Sequence, residues 1–373
     1  MLGIFNHPTT QSPNHLLQSR NPPRPHTPIR PNTLLCLSLL FNLPFFLFRV
    51  HRLAFDTNTH IFLADHYRLR WWNLWEPRWY LGFSVASYPP LAHQLIAWLS
   101  WPFGAVVAFF SPEPEPYPGA FRWLGEEIAF VVVLLIALVL FPLAVREFTR
   151  IFGGPRASNA SGLLAIFCPA LSLSAWAFGQ LPTVAATTAV LFALARGHAF
   201  VCTGRWLRLA QAVVLAGVAG ALHHGVFLFV PFAGAAVVVR DVWCVVRQQS
   251  SPFAPRSGPS SREAVFRLFL WASLSALAVA VVLWPFLLWG RGQVLQTPID
   301  HPSRHNFFAD PSASLFFFWA IYGPLLLVVP GALWVAMKAR RLRPLLGAFA
   351  VLLVLGLGGM TPLPRVLFGA GWE

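Results

Sequence analysis

The chain reads as an all-α polytopic membrane protein, on three observations. Its 373 residues are 56% hydrophobic and only 11% charged, where a typical soluble domain carries roughly 25% charged residues. Apolar runs of about 18 to 25 residues recur along it, long enough to cross a hydrocarbon core of ~30 Å as helices. Strict apolar–polar alternation, the mark of a membrane β-barrel, is absent. The count comes to about 10 to 11 transmembrane helices, with an external first loop that carries an interfacial helix.

Residues 1–33 are rich in Pro, Asn, Ser and His, carry Arg20, Arg24 and Arg30, and contain no acid. Such a segment cannot bury a core and is expected as a disordered cytoplasmic tail. Residues 34–373 form the transmembrane domain, and Leu34 to Val50 is its first span. With the basic tail inside, residues 51–87 become the external first loop. Within it, Thr59 to Trp72 is helical in character and dense in aromatics, which places it along the membrane interface. Tyr88-Pro89-Pro90 breaks that run ahead of the apolar segment Leu91 to Phe110.

A polar connector without a base, Pro112 to Gly119, leads to a span over Ala120 to Val145 and a basic loop, Arg146 to Arg156. Ala157 to Phe178, a turn at Gly179 to Pro182 and a return span to Ala195 follow, then a second basic stretch, Arg196 to Arg208. Leu209 to Val239 is too long for one straight span and has His223-His224-Gly225 at its middle. Two short helices meeting at the His pair is the economical solution, and one long tilted helix is the alternative. Beyond it lie the basic loop Arg240 to Arg262, the span Ala264 to Trp289, a second external loop over 290–314, the span Leu315 to Met337, a basic segment ending at Arg343 and a last span, Leu345 to Met360. One conflict stands: two simple crossings between Tyr88 and Val145 would put Arg146 to Arg156 outside. Either a segment there is re-entrant or broken near Pro102, or the positive-inside rule fails locally.

The net charge is +14, from 27 Lys and Arg against 13 acids. Because the bases lie mostly between spans, they imply cytoplasmic anchoring and attraction to anionic membrane lipid. No compact basic domain exists, which excludes a nucleic-acid binder. The four cysteines sit in or beside apolar runs without CxxC spacing and are expected in the core, neither as disulfides nor as a zinc site.

Few acids lack a dull explanation. Asp56 lies just past the first span, and a helical turn after it would put His60 on its face. Its carboxylate could take a proton from a hydroxyl or help hold a cation; equally, it could cap a helix. Asp65 and His66 stand in ADHYR, where an Asp65–Arg68 ion pair is the plain account. Arg78, next to Glu76-Pro77, has the guanidinium geometry that suits phosphate. His223 and His224 could hydrogen-bond structurally, contact substrate phosphate or hold a metal, although adjacent helical side chains point about 100° apart. In the second external loop Arg304 sits among Asp300, His301 and His305 and could offset charge on a phosphate leaving group. No Walker, Rossmann, HExxH or GxSxG pattern is present.

This order of features resembles the GT-C superfamily of membrane glycosyltransferases: one span, an external loop opening with an acid, an interfacial helix, then YPPL leading into the next apolar segment. At closer range FLADHYRLRWWNLWEPRWYLGFSVASYPPLAHQL and the later HHG resemble a bacterial membrane family named by relation to 6-pyruvoyl-tetrahydropterin synthase. The superfamily resemblance implies transfer of a sugar from a polyprenyl-phosphate-linked donor to an acceptor outside a bacterial inner membrane, with the N-terminus cytoplasmic. It implies Asp56 as catalytic acid, with Asp65 as the fallback, and His66, Arg78, Tyr88, His223, His224 and Arg304 as substrate or phosphate contacts. Thr57 stands where the commonest pattern has a second acid, so no cofactor is certain, while a divalent metal is possible. Relatives usually continue past the position of Glu373, which implies a chain truncated at its C-terminus. The alternative is a non-enzymatic transporter or envelope-assembly scaffold for lipid-linked substrates.

Overall fold

A computed structural model describes residues 29–79, 81–110, 120–250, 260–291, 311–313, 315, 319–356 and 366. The fold is an all-α membrane architecture. Among the described residues five helices are long and apolar enough to cross a bilayer: Leu91–Phe110, Trp123–Phe152, Pro155–Trp176, Leu181–Thr203 and Ser261–Arg291. Two shorter apolar helices, Pro31–Leu47 and Trp206–Leu222, accompany them.

Helix α1 (Pro31–Leu47) begins on a proline, whose missing N–H costs nothing in a first turn. The chain then turns sharply at Arg49, which adopts a left-handed φ of 56°, and a short 3₁₀ turn brings His51 and Arg52 to Glu127. Helix α2 (Thr57–Leu69) lies in the first loop, starting two residues before the expected interfacial helix and ending three before it. After α2 comes a two-stranded hairpin, β1 (Trp75–Glu76) against β2 (Phe83–Ser84), and then α3 (Leu91–Phe110).

Helix α4 (Ala120–Phe152) is the spine. Its first half faces the loop: Glu127 bonds His51 and Arg52, and Phe130 stacks on His60. Its second half faces α1, where the Ser38 hydroxyl donates to the Leu138 carbonyl. Helix α3 packs along the first half alone, with Ser100 and Gly104 against Gly125 and His93 beside His60. Helices α3 and α4 both have the length and composition of a span, so the conflict at Arg146 to Arg156 stands.

Helices α5 (Pro155–Ile166) and α6 (Pro169–Trp176) form one broken segment returning toward the loop. Helix α7 (Leu181–Thr203) runs back beside α4, where the Thr188 hydroxyl meets the Ala137 carbonyl, and α8 (Trp206–Leu222) returns against α7. Many buried positions of α7 are small, among them Ala186, Ala189, Ala193 and Gly197. In lipid such residues let backbones approach closely enough for dispersion to hold helices together. At Gly197 an added Cβ would fall 1.9 Å from Trp271 of α10 (Ser261–Arg291), so the indole seats directly on the glycine.

Two expectations change. The segments Arg146 to Arg156 and Arg196 to Arg208 are not loops: α4 continues through Arg146 and Arg150, α7 through Arg196, and only Gly153-Gly154 and Gly204-Arg205 turn. Arginine is a good helix former, and its long stem carries the charge to the interface from within a helix. The break at the His pair is as expected: α8 ends at Leu222, a 3₁₀ turn spans His224–Leu228, and α9 (Val230–Ser250) starts anew. The three described cysteine thiols are free, with Cys36 and Cys202 on the surface and not in the core.

The two ends of the bundle differ in their balance of charge. One end holds Arg146 and Arg150 of α4, Arg196 of α7, Arg205, Arg240 and Arg267, the last donating to the Val201 carbonyl at 3.1 Å. That end also holds Asp241 and Glu263, paired with Arg240 and Arg267. The other end is mixed: Asp56, Asp65, Glu76, Glu126 and Glu127 lie in or facing the first loop, and Arg52, Arg68 and Arg78 pair with the last four of them.

Candidate functional site

Two backbone hydrogen bonds, Phe55 N–H to Ala177 O (3.2 Å) and Asp56 N–H to Phe178 O (3.1 Å), pin the start of the first loop to the α6–α7 turn. Gly179 makes that approach feasible. Its φ is +70°, and a Cβ there would lie 2.8 Å from the Thr57 nitrogen. Gly179→Ala is therefore expected to combine left-handed strain with a backbone clash, destabilising by more than the ~1 kcal/mol that an unstrained swap gains. A thermal shift in detergent measures that loss.

Asp56 makes no side-chain cap to α2. Instead its carboxylate accepts a short hydrogen bond from Gln180 Nε2. It lines a cavity of about 350 Å³ with Thr59, His60, Ser87, Tyr88, Pro89, His93, Gln180, Pro182, Leu222, His223 and His224. Four elements thus converge: the first turn of α2, the YPP segment, the α6–α7 turn and the break after α8. Half-burial raises the Asp56 carboxyl above its usual range, against the lowering effect of the Gln180 bond. Burial, followed by the nearby Asp56 charge, also raises Tyr88.

The imidazoles are arranged in pairs. His60 Nδ1 meets His93 Nε2 at 3.0 Å, so one ring donates and the other accepts. His60 Nε2 is buried without a hydrogen-bond partner among the described residues. The rings of His223 and His224 stack 5.8 Å apart, and His224 lies on Phe286 at 4.3 Å. Their Nδ1 atoms are likewise buried and unpartnered among the described residues. Burial pulls both below the usual 6.5, and His224 lowers His223 further.

Burial, reinforced by His223, pushes His60 down to about 4. An unfolded chain accepts that proton near pH 6.5, whereas the folded protein refuses it until about pH 4. The stability tied to a neutral His60 is thus complete above pH 6.5 and falls as pH drops toward 4. His60→Gln is expected to flatten this acid limb in unfolding midpoints measured against pH; an unchanged limb would remove His60 as its cause.

Asp65, His66 and Arg78 are not in the cavity. They form a closed network around Glu76, whose side chain is 1% exposed. Glu76 accepts from Arg78 N (2.7 Å), Nε (2.8 Å) and Nη2 (2.7 Å) and pairs with His66 Nδ1 at 2.9 Å. Arg78 Nη1 reaches Asp65 at 2.5 Å, while Arg68 pairs with Asp65 at 3.7 Å and with Glu126 at 2.8 Å. Burial alone would raise Glu76, yet the Arg78 and His66 hydrogen bonds hold it down at about 2. Arg304 lies outside the described residues.

Beside the polar cavity opens a second pocket of about 260 Å³, lined by Tyr67, Trp71, Trp72 and Leu74 on the loop side and by Val282, Leu283, Pro285 and Phe286 of α10. Tyr88 and Pro89 line both spaces. The sequence alone singled out Asp56, Tyr88 and the His pair but passed over His93, Gln180, Thr59 and Ser87. Two signals were available: a histidine three residues after Pro90, and a glutamine in the GQLP break between two apolar segments.

Among the described residues no three His, Cys, Asp or Glu side chains converge as a cation would require. His60 and His93 share one hydrogen bond, and His60 Nε2 remains without a partner among the described residues. Comparison with family models, with curated proteins and with solved structures finds no match.

Proposed function

We propose that the chain is a membrane glycosyltransferase that takes a sugar from a polyprenyl-phosphate donor. One observation carries this: a polar, carboxylate-bearing cavity shares Tyr88 and Pro89 with an aromatic, apolar pocket. An amphiphile with a polar head and a long apolar tail fits that pair of spaces. The GT-C-like order of the first loop is consistent with it.

In this reaction an acceptor hydroxyl attacks the anomeric carbon, the carbon–oxygen bond to phosphate breaks, and the phosphate departs with the electron pair. Asp56 takes the hydroxyl proton. Its raised proton affinity and hold by Gln180 suit a positioned base. Neutral His223 and His224 line the same cavity and supply N–H donors to the phosphate oxygens, whose charge grows as the bond breaks. Glu76, Arg78, Asp65 and His66 have a supporting task, keeping the loop rigid beneath the site.

Arginine-rich ends face the cytoplasm by the positive-inside rule, which puts the cavity on the external face, as in a bacterial inner membrane. The test reconstitutes the full chain in liposomes with labelled polyprenyl-phosphate sugars and acceptor membranes. Release of polyprenyl phosphate with label leaving the lipid is expected. Saturable donor binding without release would favour a transporter or scaffold, and neither binding nor release would end the proposal.

A further inference from the structure

At the opposite, arginine-rich end a cleft of about 560 Å³ lies between α9 and the start of α11 (Arg343–Gly356). Arg240 and Trp243 form one wall; Arg340, Arg341, Arg343 and Pro344 form the other. Arg240 is matched by Asp241 at 2.8 Å. No carboxylate among the described residues pairs with Arg340, Arg341 or Arg343; Arg343 Nε reaches only the Met337 carbonyl at 3.4 Å. Facing guanidiniums around a concavity repel one another unless an anion sits between them, and their planar forks match phosphate.

A run of bases at a helix end is ordinarily a solvated face, and here two further features point elsewhere. Arginines from separate elements face one space, instead of fanning out along a single helix. The flanking surface is apolar: Val239, Trp243, Trp334 and Val335 are each about half exposed, and Lys338 lies over the Trp334 ring at 3.9 Å. Indoles and bases where apolar helices end mark the headgroup level of a bilayer. We propose that this cleft binds the phosphate of an anionic phospholipid, with the acyl chains lying along the apolar sides of α9 and α11. Basic pockets between helices at that level suit such headgroups.

The test is native mass spectrometry of the full chain, purified in neutral detergent and exposed to an equimolar mixture of phosphatidylglycerol and phosphatidylcholine. Preferential retention of the anionic lipid is expected. Arg340→Gln, Arg341→Gln and Arg343→Gln together should weaken it about 100-fold. If that triple variant does not fold, Arg340→Gln or Arg343→Gln alone should weaken it about fivefold. Arg156→Gln, Arg205→Gln and Arg208→Gln, at the same end but away from the cleft, should leave it within about threefold. Equal losses in both triples, or no lipid preference in the wild type, would overturn the site. Displacement of the lipid by equimolar inorganic phosphate would overturn the lipid assignment in favour of a soluble phosphate.

Discussion

Asp56→Asn is expected to lower the turnover of sugar transfer by about 10²–10⁴-fold, the usual worth of a positioned general base. Asparagine keeps the shape and can still bond Gln180, so donor binding should change little. The distinguishing result is a fall in kcat with nearly unchanged donor affinity, because Asp56 contacts the acceptor's proton and not the lipid phosphate. Gln180→Leu should give a smaller loss, since it frees the carboxylate without removing it. Wild-type turnover in Asp56→Asn would strip the residue of its role.

Breaking the network under the loop is expected to be the largest stability effect in the chain. Glu76→Ala leaves Arg78 without the carboxylate that accepts its N–H, Nε and Nη2 groups, and leaves His66 Nδ1 without a partner. Removing one member of a buried ion pair costs about 3–5 kcal/mol, and Arg78, partly exposed and still paired with Asp65, holds the loss toward the lower figure. Chemical unfolding in mild detergent measures the loss. Adding Arg78→Met to the Glu76→Ala background should recover part of it, the sign of a coupled pair. Glu76 also sets an acid limit: its carboxyl falls from the usual 4.5 to about 2 on folding. Its contribution is full above pH 4.5 and disappears as pH drops through about 2.

Much of the architecture was legible because apolar run length and proline or glycine breaks act locally. The break at His223-His224, the turn at Gly179 and the end of the loop at Tyr88-Pro89-Pro90 all stand near where the residues put them. Helix ends at arginines were not legible, since charge density says loop while helix propensity and snorkelling say helix. Partners were invisible too: α3 has the composition of a span, and only the structure shows it packed on the first half of α4.

The division of the polar residues depended on tertiary contact. Asp65, His66 and Arg78 look as functional in sequence as Asp56, yet Glu76 gathers them into a closed network. Asp56 and His224 are 168 positions apart, and nothing local signals that they share a cavity.

The most direct measurement is saturable photolabelling of the full chain by a polyprenyl-phosphate sugar carrying a photoreactive group next to its phosphate. Label is expected on the peptides holding Ser87 to Pro90 and Leu222 to His224, and unlabelled donor should compete it away. Label spread over the lipid-facing sides of the helices, or label that unlabelled donor does not displace, would contradict the assignment of this cavity.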